Sequence, residues 1–94
     1  MIVEISVVPI GVGESLGKFV KEALEVIKEK GIRHELNAMG TVLEIDSFGE
    51  LCDILEEIRK RLEDMGCGRI YFVVKVDWSE KKRTIDSKIK SVLS

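Results

Sequence analysis

The chain has 94 residues, 34% of them charged, and a formal net charge of −2. That length suits one small domain with a single core, and the near balance of charge excludes the basic excess of a dedicated nucleic-acid binder. Two cysteines, Cys52 and Cys67, have neither a CxxC spacing nor a histidine beside them, which points away from zinc ligation and thioredoxin-type chemistry and toward small packing residues.

Val3, Ile5 and Val7 recur at every second position and form one face of a first strand over residues 2–8. The strand leads into Pro9-Ile10-Gly11-Val12-Gly13-Glu14-Ser15, where two glycines permit a sharp turn and Ser15 serves as an N-cap. Leu16, Phe19, Val20, Ala23, Leu24 and Ile27 then predict a helix from about Ser15 to Lys30, stopped by Gly31. The N–H groups at its start favour an anion or the polar edge of a ligand, although such turns more often serve geometry alone.

Ile32 to Ala38 and Thr41 to Asp46 read as two short strands joined by Met39-Gly40. That turn sets Ala38 opposite Thr41, Leu36 opposite Leu43 and His34 opposite Ile45, all on one sheet face. Ser47-Phe48-Gly49-Glu50 is a capping-box pattern. It opens a second helix whose stripe, Leu51, Ile54, Leu55, Ile58, Leu62 and Met65, runs to Gly66-Cys67-Gly68. Arg69 to Val76 is the most strand-like run, with Ile70, Phe72, Val74 and Val76 on one side and Tyr71, Val73 and Lys75 on the other. Beyond Asp77-Trp78 and a polar link over residues 79–83, Ile85, Ile89, Val92 and Leu93 mark an amphipathic helix over 83–93.

The order predicts an α+β fold: a ferredoxin-like βαββαβ sandwich with a four-stranded antiparallel sheet, residues 1–94 forming one domain with an appended C-terminal helix. Both main helices cover one sheet face. The other carries Ser6, Val8, Val42, Tyr71 and Val73 among Glu4, Asn37, Glu44 and Lys75. Its apolar middle calls for a cover, either another subunit or the C-terminal tail folded back.

Candidate chemistry is sparse. His34 is the sole histidine and no G-x-S-x-G elbow is present, so no catalytic residue, metal site or cofactor is expected. Glu44 stands out among the carboxylates, because on the half-apolar face it can pair with Lys75 or meet a cationic ligand. Lys81-Lys82-Arg83 reads as a solvated loop and Trp78 as an interface anchor. No apolar run approaches the roughly 18 residues of a membrane span, and no secretory pattern opens the chain. A cytoplasmic protein is expected.

Taken together, Val8-Pro9-Ile10-Gly11-Val12-Gly13-Glu14-Ser15-Leu16, Met39-Gly40-Thr41-Val42-Leu43-Glu44, and Arg69-Ile70 leading to Lys75-Val76-Asp77 resemble the successive motifs of the small thiamine-binding protein family. The resemblance covers nearly the whole chain. It implies a ferredoxin-like protomer, homodimers and homotetramers formed through the sheets, and binding of thiamine or its hydroxymethylpyrimidine part without turnover. It carries over Ser15 and Thr41 as hydroxyls for the pyrimidine edge, Gly11, Gly13 and Gly40 as points of close backbone approach, and Met39 as an apolar wall. The chain departs from the commoner pattern at Val12, where threonine is frequent, and at Trp78-Ser79, where charged residues are. The expected function is a non-catalytic small-molecule binder that works as an oligomer. The alternative is a self-assembling structural or regulatory module with a protein partner and no thiamine ligand.

Overall fold

A computed structural model describes residues 1–14 and 16–94. Its elements are β1 (Ile2–Ile10), α1 (Gly17–Glu29), β2 (His34–Asn37), β3 (Gly40–Glu44), α2 (Phe48–Asp64), β4 (Arg69–Asp77) and α3 (Ile85–Leu93). The four strands form one antiparallel sheet in the order β2-β3-β1-β4. This is the ferredoxin-like arrangement with a helix added at the C-terminal end.

The alternation in β1 puts Val3 and Ile5 on the helix-facing side, where they meet Leu43 and Ile45. Phe19, Ala23, Val26 and Ile27 of α1 and Leu51, Ile54, Ile58 and Leu62 of α2 complete that core. Arg61 ties the two helices together outside it, pairing with Glu57 at 3.0 Å on its own helix and with Glu22, at 3.3 Å, and Glu29 on α1. Both helices stop by the same device: Gly31 and Gly66 take a left-handed backbone, and the next N–H, of Ile32 or Cys67, returns to Ile27 or Leu62. Each closing residue is buried, so the stop also fills the core.

Several details differ from the sequence expectation, beginning with β1, which runs on through Pro9 to Ile10 instead of ending at Val8. α1 begins at Gly17 with Leu16 at the cap position and no side-chain cap; the expected cap, Ser15, lies outside the described residues. Ser47 caps α2 by accepting the Glu50 N–H at 3.1 Å, whereas the Glu50 carboxylate reaches one residue further back, to the Asp46 N–H. The β2–β3 turn consists of Ala38 and Met39, with Asn37 opposite Gly40, Leu36 opposite Thr41, Glu35 opposite Val42 and His34 opposite Leu43. The expected Met39-Gly40 turn is therefore corrected, and every partner moves by two positions, which leaves the faces unchanged. The reason is long-range: a Cβ on Gly40 would lie 3.1 Å from the Ile5 carbonyl oxygen and 3.3 Å from Glu4 Cγ. Glycine is needed there because the backbone, paired with Asn37 of β2, passes close to β1.

α3 answers the question of the open face in part. It starts at Ile85, behind a full capping box between Thr84 and Ser87, and folds back over the side of the sheet away from α1 and α2. Ile85 is buried, its N–H donates to the Glu44 carboxylate, Lys88 pairs with Asp77, and Asp86 lies 3.4 Å from Arg33. The Lys88 ammonium holds the Asp77 carboxyl below the ordinary aspartate range. Tyr71 and Val73, on the same face, stay about half exposed.

β1 is unusual in its pairing. It matches β4 from Ile2 to Ile10 but β3 only from Ile2 to Ile5. Past the hairpin tip it is paired on one side alone, and Pro9, which has no N–H, falls in that stretch.

Candidate functional site

Because β1 outruns the hairpin, a cleft of about 150 Å³ opens between the hairpin tip, α1 and the middle of β1. Val20, Ala23, Leu24 and Ile27 line it from α1, residues 36–41 from the hairpin, and Ile5, Ser6 and Val7 from β1. Its polar side chain is the Thr41 hydroxyl; Ser6 and Asn37 border it, but strand alternation turns their side chains to the opposite sheet face, and no charged side chain is among the described lining residues. The Thr41 hydroxyl makes no hydrogen bond to a described residue, so it remains available to a ligand. Met39, 85% exposed, and Leu36, 60% exposed, form an apolar rim.

Such a lining favours a flat, neutral, mostly apolar group with a hydrogen-bonding edge. A cavity of about this size holds one benzene-sized ring. Anything attached to that ring extends past the rim.

The residues expected to form a site are divided by the structure. Met39, Gly40 and Thr41 line the cleft. Gly11 and Gly13, with φ of +78° and +81°, shape the turn after β1 but are not part of the lining. Ser15 lies outside the described residues. Glu44 projects from the opposite sheet face to Thr41 and is engaged by the Ile85 N–H, so it does not join the cleft. Sequence reasoning placed the Ser6 and Asn37 side chains on the open face, as the strand alternation has them, and missed that β1 outruns the hairpin. The signal was present in Pro9: a proline inside a strand-like run implies one unpaired side.

A second cavity, about 230 Å³, lies under α3 among Ile2, Val42, Ile85 and Ile89, with Glu35, Asn37 and Lys88 at its edges. Its charged groups are already paired, Lys88 with Asp77 and Glu35 with Arg33. The His34 ring donates from Nδ1 to the Ile32 carbonyl at 2.8 Å, which fixes it within the chain. Among the described residues no three His, Cys, Asp or Glu side chains are grouped to hold a metal ion, and no helix is long and apolar enough to cross a membrane.

A family model described as thiamine-binding protein matches residues 3–93. The UPF0045 protein MJ1052 of Methanocaldococcus jannaschii is 37% identical over 97 residues, spanning 98% of this chain and 91% of that one. Its crystal structure superposes with a TM-score of 0.84, at 35% identity, over 97% of this chain and 93% of that chain. A Thermotoga maritima structure, provisionally assigned to thiamine biosynthesis or salvage, gives a TM-score of 0.83 at 25% identity, over 97% of this chain and 96% of that chain.

Proposed function

The chain belongs to the thiamine-binding protein family, and from that premise we propose that it binds thiamine, or its hydroxymethylpyrimidine part, without turning it over. The cleft at the hairpin tip carries this reading. Its volume matches one six-membered ring, its lining is uncharged, and Thr41 offers an unengaged hydroxyl to a ring edge. The pyrimidine enters the cleft, while the cationic thiazolium stays outside, beyond Met39. Ser15, Gly11 and Gly13 are proposed to approach the ligand from the turn after β1. Glu44 is left out, since its carboxylate holds α3.

The protein is further proposed to act in the cytoplasm as a homodimer or homotetramer formed through the sheet face that α3 leaves uncovered. Tyr71 and Val73 on that face, at 55% and 49% exposure, support this. Titration calorimetry with thiamine, thiamine phosphates and the free hydroxymethylpyrimidine tests the binding. Micromolar or tighter affinity, on the order of −8 kcal/mol, supports the reading, and no heat with any of them overturns it.

The same exposed face, together with Trp78 at 64% exposure, favours a second reading: a self-assembling module whose partner is another protein. Light scattering that shows a monomer at micromolar concentration counts against that reading and against the oligomer proposed above, and leaves the binding of thiamine standing.

A further inference from the structure

The polar elements facing the cleft include main chain as well as the Thr41 hydroxyl. The Met1 amino group donates to the Ile45 carbonyl at 2.7 Å, and the Ile45 N–H returns a bond to the Met1 carbonyl at 3.0 Å. That reciprocal pair fixes the phase of the β1–β3 ladder, because hydrogen-bonded pairs alternate along antiparallel strands. Odd-numbered residues of β1 therefore direct their N–H and C=O groups toward β3. The Glu44 N–H donates to the Arg33 carbonyl at 3.0 Å, which turns the even-numbered residues of β3 toward β2 and agrees with this phase.

Ile5, opposite Thr41, is the last odd residue of β1 with a partner in β3. Val7 is the next. Its N–H and C=O point where β3 has ended, it lines the cleft, and neither group has a hydrogen-bond partner among the described residues. Pro9 follows and has no N–H to give. The open edge thus presents one donor beside one acceptor, both from a single residue, and the ladder that an added strand requires is broken at its next step. This edge suits a small molecule rather than a peptide.

We propose that the Val7 main chain is the recognition edge of the cleft, reading a planar nitrogen heterocycle that places a ring-nitrogen acceptor next to an exocyclic amino donor. This rests on the function proposed above and specifies what that site recognises: the amidine edge of a neutral 4-aminopyrimidine. A strand residue facing its neighbour exchanges both hydrogen bonds with one opposing residue, and the amidine edge supplies the same two complements in place of the missing one. The uncharged lining gives a neutral ring no competing ion pair. Loss of either ligand group leaves a Val7 group desolvated and unpaired, which makes the edge selective.

The test is backbone hydrogen exchange on the intact protein, read residue by residue with and without thiamine, beside calorimetry with thiamine and a thiamine analogue lacking the 4-amino group. In the free protein the Val7 amide exchanges fast while those of Ile5 and Ser6, both in ladders, are protected. Saturating thiamine slows Val7 exchange at least tenfold, and the analogue binds at least tenfold more weakly than thiamine. If thiamine binds but Val7 exchange does not change, or the analogue binds as well as thiamine, the inference is overturned and the binding function stands. No heat from thiamine or from the free pyrimidine overturns the binding function, and the inference with it.

Discussion

The Glu44 carboxylate accepts the main-chain N–H of Ile85, so a sheet residue holds the first turn of a helix 41 positions further along the chain. Thr84 and Ser87 satisfy other N–H groups at that helix start through their capping box, and Glu44 adds the link that fixes α3 to the sheet. Replacing Glu44 by Ala removes the acceptor at a partly buried position, at a cost of about 1 kcal/mol. Urea unfolding measures the loss, and faster exchange of the α3 amides locates it. Thiamine affinity stays unchanged, because Glu44 faces away from the cleft; a large drop would return Glu44 to the binding site.

The Asp77–Lys88 pair is the second tether of α3. The hydrogen bond from Lys88 is the main cause of the lowered Asp77 pKa, with its charge next and smaller attractions from Arg83 and the Met1 ammonium. A carboxyl with a depressed folded-state pKa stabilises the fold above its unfolded value, about 3.9 for aspartate, and that contribution disappears as the pH falls through the lower folded value. Acidification from pH 5 toward 2 therefore loosens α3, seen as shifts of its amide resonances. Asp77→Asn removes the Asp77 contribution to that titration and leaves α3 looser already at neutral pH.

The local part of this fold was legible in the sequence, and the long-range part was not. Both helix stops, the two apolar stripes and β4 followed from glycine positions and periodicity, signals that lie within a few residues of what they specify. The hairpin register did not, because Gly40 is constrained by Ile5 and Glu4 of a strand more than 30 positions away. The cleft depends on β1 being longer than the hairpin arms, a property of two segments compared. Thr41, Gly40 and Met39 came from a family resemblance, and the geometry places those three together while separating them from Glu44 and from the Gly11–Gly13 turn.

Within the cleft, Thr41→Val keeps shape and removes a hydroxyl that makes no hydrogen bond to a described residue. Stability should change by less than about 1 kcal/mol, while thiamine affinity falls roughly tenfold if the hydroxyl meets the ring edge. Met39→Ala, at a position 85% exposed, leaves the melting temperature nearly unchanged and weakens thiamine binding by removing the rim. Calorimetry and thermal melts on the same preparations separate the two effects.

Gly40→Ala probes the close approach of β3 to β1. The new methyl group would stand 3.1 Å from the Ile5 carbonyl oxygen, which is held in a ladder, and 3.3 Å from Glu4 Cγ, which can swing away. The strand pair must separate slightly, at a cost of about 1–3 kcal/mol. The measured signature is a lower urea midpoint together with faster exchange at Val3 and Ile5, and a variant as stable as the parent would show that β1 yields without cost.

Val73 tests the assembly. Its side chain sits on the sheet face that α3 leaves bare, half exposed and next to Tyr71 on β4. Val73→Lys at so exposed a position changes the stability of a single chain by no more than about 0.5 kcal/mol. In an apolar interface the same ammonium would be stripped of water without a partner, at a cost of several kcal/mol. Light scattering should therefore give a multiple of one chain's mass for the parent protein and a single chain's mass for the variant, with far-UV dichroism unchanged. Equal masses for the two would move the contact surface elsewhere, with exposed Val92 and Leu93 on α3 the next residues to substitute.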